Sequence, residues 1–332
     1  MNYDNVQGWP EFNYTTLKAI FGDIVDTPWS GSPPTPVFSS FDLTYCSEAD
    51  FEHQVLTKET IETVNRALHQ VCRQHYKDDS PFRLARGGMC RSYRWKPDWA
   101  LVKQDSCVED GSFVNHMPGD TKLSTSWHPG TTEEVQFKWP VRQILTYAQE
   151  CHSRYGFLIT DEALVVFQYT HESVYPGIAL TRPLRATTDY YQQHLYTNPE
   201  DSQLDSSFND MSIEESAGQQ SYVDSGSALE HESPRFQIIP WHNEGRNKLT
   251  VRLALFYLCL MAGYGHSELG SWYPGLDTWQ KEKDGTYRHN TSGLLKKNLS
   301  SEEKRKLEAP QQPGAAASTQ RGGRKGRSTG GT

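Results

Sequence analysis

Apolar positions change rhythm several times along this chain. Phe51, Val55, Ile61, Val64, Leu68 and Val71 recur at roughly helical spacing and predict a helix over 47–75. Ser47 can cap it, and Glu48 and Asp50 fall in its first turn. Strand signals follow. Residues 90–103 carry Tyr93, Trp95, Trp99, Leu101 and Val102, and residues 111–123 carry Phe113 and Val114. A helical stripe returns over 136–153, with Val141, Ile144, Leu145 and Ala148 on one side. Residues 155–160 then read as an apolar strand, Asp161-Glu162 as a tight turn, and 164–169 as the returning strand. A further short strand is expected over 177–184.

The pattern then breaks. Residues 198–234 are rich in Ser, Gln and acids and hold few large apolar side chains. They cannot bury enough surface to offset chain entropy, so a disordered acidic insert is expected there. Order resumes with a strand over 236–241 and a helix over 249–263, ended by Gly263 and Gly265. At the front, residues 1–45 mix Pro, Ser and aromatics and suggest an extended N-terminal arm, docked through Phe21, Trp29, Phe38 or Phe41. Residues 267–299 read as an irregular extension and 300–332 as a disordered basic tail. What remains is one α/β domain over 46–266, interrupted by the insert.

Composition narrows the picture in three ways. The longest apolar run, Leu253 to Ala262, is too short to span a bilayer, so a buried helix is expected and no membrane partner. The six cysteines are scattered without a CxxC pair, and the N-terminus has neither a basic nor an apolar leader segment. Both features point to reduced thiols and an intracellular location. The formal charge of −8 is concentrated, because residues 199–234 hold nine acids and no Lys or Arg. The remainder is close to neutral, and the Arg321–Arg327 patch is basic, which leans the location towards the nucleus. An acidic total therefore leaves a nucleic-acid partner open.

Candidate chemistry lies in an ordered trio of motifs between 97 and 147: Pro97-Asp98, then Gly119-Asp120-Thr121-Lys122, then Gln143 with Tyr147. Phosphodiester hydrolysis needs an activated water, a counterion for phosphorus oxygens and help for the leaving oxygen. Mg²⁺ (or Mn²⁺) supplies these and takes oxygen ligands, usually one or two carboxylates. Asp98 and Asp120 are the candidate carboxylates, and the Thr121 main-chain carbonyl a third ligand. On a strand Asp120 and Lys122 share a face, so Lys122 is placed to orient the water or offset phosphate charge. Gln143 and Tyr147 lie one helical turn apart and off the apolar stripe, free to hold substrate. Each motif alone is weak; their order carries the signal. Trp99 and Trp127 flank the acids as candidate stacking groups, with core packing as the plainer alternative.

These residues carry a resemblance. Residues 47–170 resemble the PD-(D/E)xK nuclease superfamily, and the QxxxY element is similar to that of its RecB-like branch. More narrowly, Lys96-Pro97-Asp98-Trp99-Ala100, Gly119 to Lys122, Arg142 to Tyr147 and Tyr155 to Asp161 resemble a fungal family of nuclease-like proteins. With the helix after Ile239-Pro240-Trp241, the likeness covers about 46–266. It implies a restriction-endonuclease-like fold: an αβββαβ core with a central mixed sheet flanked by helices. It also implies a metal-dependent nuclease acting on DNA or RNA, with DNA favoured. An acid early in the first helix belongs to the family pattern, and among Glu48, Glu52, Glu59 and Glu62 this selects Glu52. The rival is a catalytically silent nuclease fold serving in nucleic-acid or protein binding. A protein kinase is set aside, since no Gly-rich phosphate loop and no HRD or DFG triplet is present.

Overall fold

The computed structural model describes residues 7–28, 45, 47–91, 95–129, 134–170, 234–270 and 272–307. Among the described residues one mixed sheet is built from β1 (Gln7–Gly8), β2 (Phe82–Arg86), β3 (Trp99–Lys103), β4 (Pro118–Thr121), β5 (Tyr155–Ile159), β6 (Ala163–Gln168) and β7 (Arg235–Pro240). Its order is β1-β7-β6-β5-β4-β3-β2. β1 runs parallel to β7 and β4 parallel to β5; the other neighbours are antiparallel. β5 and β6 are buried at every position, which is why they read as unbroken apolar runs.

Helices cover both faces. On one side lie α1 (Tyr14–Val25), a long helix α2 (48–76) and α4 (Val251–Tyr264); on the other lies α3 (Glu134–Glu150). From residue 48 to 159 the chain therefore runs helix, three strands, helix, strand. Ser47 caps α2 by accepting from Asp50 N at 3.1 Å. Between Glu52 and Ile61 the helix winds in wider π-type turns, where Glu62 N–H reaches back to Thr57 O. α4 is the expected buried helix, capped by Thr250 and enclosed along most of its length. Among the described residues no helix is long and apolar enough to cross a membrane.

Several elements differ from the sequence reading. Residues 14–25 are not part of an extended arm. Asn13 caps α1, and Leu17, Ile20, Phe21 and Ile24 bury one helical stripe in the core. β2 was not expected as a strand. β3 starts at Trp99, so Pro97-Asp98 precede the strand rather than lie inside it. The region 267–299 holds a small antiparallel sheet of β8 (Trp279–Lys281), β9 (Tyr287–His289) and β10 (Leu295–Lys296). A short capped helix, α5 (Ser301–Arg305), stands where the tail was expected to begin. The expected strand at 177–184, the acidic insert, Trp29, Phe38, Phe41 and residues 308–332 lie outside the described residues.

The outer margin of β2 is closed by a side chain. Asn65 of α2 donates from Nδ2 to Leu84 O at 2.9 Å and accepts from Leu84 N on Oδ1 at 2.7 Å. An amide here makes the two bonds a next strand would make.

Candidate active site

Strand register brings the acids together. Antiparallel pairing sets Trp99 opposite Gly119, so one step outward places Asp98 across from Asp120. Two glycines permit this. A Cβ on Gly87 would lie 1.9 Å from Pro97 O, and Gly87 N donates to Asp98 O at 2.9 Å. Gly87 thus lets the Pro97-Asp98 segment lie against the end of β2. A Cβ on Gly119 would meet the Phe157 ring at 2.1 Å, so that strand position must be bare. Asp98 is then fixed by Thr121, whose N–H donates to Asp98 Oδ2 at 2.9 Å.

Lys122 shares the face of Asp120, as strand alternation predicts. Its Nζ lies 2.6 Å from Asp120 Oδ2 and 3.8 Å from Glu48 Oε2. This ammonium is the close counter-charge of the enclosed Oδ2. Thr121 points to the opposite face, where its hydroxyl accepts from Trp99 Nε1 at 2.9 Å. Glu52 reaches the same place from the start of the π-type turns of α2. It is buried, ion-paired with Arg86, and within the influence of both Asp98 and the Thr121 hydroxyl. The Arg86 guanidinium also covers the Trp99 ring, 4.7 Å from its centroid.

Packing several acids at one strand end has an electrostatic consequence. Asp120 is 2% exposed; burial, then the neighbouring Asp98 charge, push its carboxyl up to about 8, against the opposing pull of Lys122. Burial and Asp98 likewise raise the Glu52 carboxyl, while the Thr121 hydroxyl and Arg86 pull it back. Burial works against the Lys122 charge, but Asp120, Glu48 and Asp98 outweigh it and raise the ammonium pKa.

α3 presents the remaining pair. Gln143 is exposed and donates from Nε2 to Tyr147 OH at 2.7 Å. Tyr147 departs from the expectation that it stands off the core. Its ring is buried with Val141, Ile144 and Leu145, and its hydroxyl alone reaches towards the acids. Burial raises that hydroxyl, the Gln143 bond pulls it back, and the charges of Asp120 and Asp98 raise it further.

Asp98, Asp120, Lys122, Thr121, Glu52 and Tyr147 therefore meet at one end of the sheet, with Gln143 on its rim. Glu48, Arg86 and Gly87 join them without having been singled out for those roles. Glu48 sits one turn before Glu52, so helical spacing from Glu52 would have found it. His116 does not belong to the cluster; it stacks edge-on against Phe82 at 5.0 Å. Trp99 and Trp127 are both buried and offer no face for stacking. A cleft of about 960 Å³ between α2 and β2 has Arg86 and Trp99 in its lining. A second, of about 600 Å³, is lined by Tyr45, Phe51, Asp161 and Trp241.

The donor set suits a hard cation. A carboxyl pushed up by burial and by its like-charged neighbour is relieved by added positive charge. Among the described residues, no three His, Cys, Asp or Glu side chains enclose a cation position on their own. A cation that keeps several waters needs fewer protein ligands than that. No family model, no curated protein and no solved structure matches this chain.

Proposed function

We propose that this chain is a metal-dependent nuclease of restriction-endonuclease-like fold that hydrolyses phosphodiester bonds of DNA. The observation that carries the reading is the approach of Asp98 and Asp120 at one strand end with Lys122 in contact. The order helix, three strands, helix, strand over 48–159 supports it. Asp98, Asp120 and the Thr121 carbonyl would hold Mg²⁺ or Mn²⁺, with Glu52 beside them. Such an ion supplies water activation and neutralises charge on the phosphate oxygens.

The chain's own groups have separate tasks. Lys122 Nζ orients the attacking water by hydrogen bonding and balances negative charge as it grows on phosphate. The Thr121 N–H holds Asp98 at a fixed angle. Arg86 pairs with Glu52 and opposes the burial that raises its carboxyl. Gln143 and the Tyr147 hydroxyl donate to non-bridging phosphate oxygens from the rim. The second reading is a silent nuclease fold that binds without cutting, and the enclosure of Asp120 beneath Lys122 favours it.

Labelled single- and double-stranded DNA incubated with wild type, Asp98→Ala and Asp120→Ala in Mg²⁺ or Mn²⁺ separates the readings. Cutting by wild type that falls below detection in both variants is the expected result. Equal cutting by all three proteins would reject the assignment. Binding without cutting in wild type would establish the second reading.

A further inference from the structure

Two indole rings that the chemistry above does not use stand in solvent beside the site. Trp139 is 65% exposed and Trp95 is 51% exposed, while Trp9, Trp99, Trp127 and Trp279 are buried. Exposure alone assigns nothing, as Trp272 is exposed to the same extent as Trp95; placement decides.

Their placement is specific. Trp139, Gln143 and Tyr147 fall at i, i+4 and i+8 on α3, so they line one face over about 12 Å. Tyr147 is the end of that line that feels the charges of Asp120 and Asp98. Beyond it, Tyr147 shares a narrow cleft with Trp95, Lys96 and Pro97, and Pro97 adjoins Asp98. The line thus runs from Trp139 over Gln143 to the Tyr147 hydroxyl, where the charges of Asp120 and Asp98 are felt, and on to Trp95. Exposed cations accompany both rings. The Arg142 guanidinium lies 5.9 Å from the Trp139 ring centroid, and Lys96 follows Trp95 in the chain.

We propose that Trp139 and Trp95 are stacking platforms for bases on the two sides of the phosphate, and that the substrate is single-stranded DNA. In a duplex each base face is already covered by its neighbours in the stack. An indole plane can take only an unpaired base, and it does so with little sequence preference. Arg142 and Lys96 match the phosphate charge of the same strand. The position of the scissile phosphate rests on the nuclease reading above; the stacking surface does not.

The test uses the full chain in EDTA, so that cutting plays no part. Fluorescein-labelled oligo(dT) and a blunt duplex are titrated with wild type, Trp139→Ala, Trp95→Ala and Trp139→Phe, with melting curves to establish folding. Wild type should bind oligo(dT) more tightly than duplex. Each alanine variant should lose roughly tenfold in oligo(dT) affinity, and Trp139→Phe should retain most of it. Trp272, equally exposed at 51% but not on α3, is the control, and its alanine variant should bind as wild type does. Unchanged oligo(dT) binding by both tryptophan variants, a preference for duplex, or an equal loss in Trp272→Ala would overturn the proposal. Those results would leave cutting untouched. A wild type that never cuts would sink the nuclease reading and leave the stacking surface standing.

Discussion

Asp120 sits where a carboxylate is least stable as an anion. Burial and Asp98 keep its proton on up to about pH 8, whereas in the unfolded chain an aspartate titrates near 3.9. Between those values the native state holds a proton that the unfolded state does not. Stability from this group is therefore full below about pH 4 and is lost as pH rises towards about 8. Asp120→Asn removes the titration. Its melting temperature should exceed that of wild type at pH 8.5, and the two should converge near pH 4. A constant difference across that range would show that the folded carboxyl titrates normally. The sequence showed this residue's neighbours but not its burial, because enclosure depends on β5 and α3 arriving from elsewhere in the chain.

At the level of elements, the site depends on how closely the end of β2 approaches the segment before β3. Gly87→Ala would drive a methyl group into the Pro97 carbonyl, 1.9 Å away. Overpacking of this kind costs about 1–3 kcal/mol, and here it also displaces Asp98. Urea denaturation should show a loss of that size, accompanied by weaker Mn²⁺ binding; wild-type metal affinity in a destabilised variant would separate the two effects. The long helix and the hairpin of β5 and β6 were legible, because apolar rhythm reports them directly. β2 was not, since Phe82-Arg83-Leu84-Ala85-Arg86 lies at a sheet margin, where exposed arginines break the alternation. α1 was masked by the proline-rich segment after it, although Leu17, Ile20, Phe21 and Ile24 follow helical spacing. Tyr147 looked peripheral because one aromatic on a helix says nothing about which side its ring turns.

At the scale of the whole molecule, the site exists only once four distant stretches have come together: 48–52, 86–98, 118–122 and 143–147. Binding a cation there is therefore linked to folding, and Mn²⁺ should raise the melting temperature of wild type but not of Asp98→Ala or Asp120→Ala. Because burial and Asp98 hold the Asp120 carboxyl up at about 8, binding a cation near neutral pH should release protons. Calorimetry at pH 7 in buffers of different ionisation enthalpy reads this directly, and a heat independent of buffer would contradict it.

The same view of the whole gives the Asn65 contact a wider meaning. A sheet of seven strands offers two borders along which another polypeptide can add itself. One border, β1, is only two residues long. At the centre of the other, Asn65 already occupies the groups of Leu84 that an incoming chain would need. An incoming strand would therefore find the centre of that border already paired, so edge-to-edge addition there requires the Asn65 amide to be displaced first.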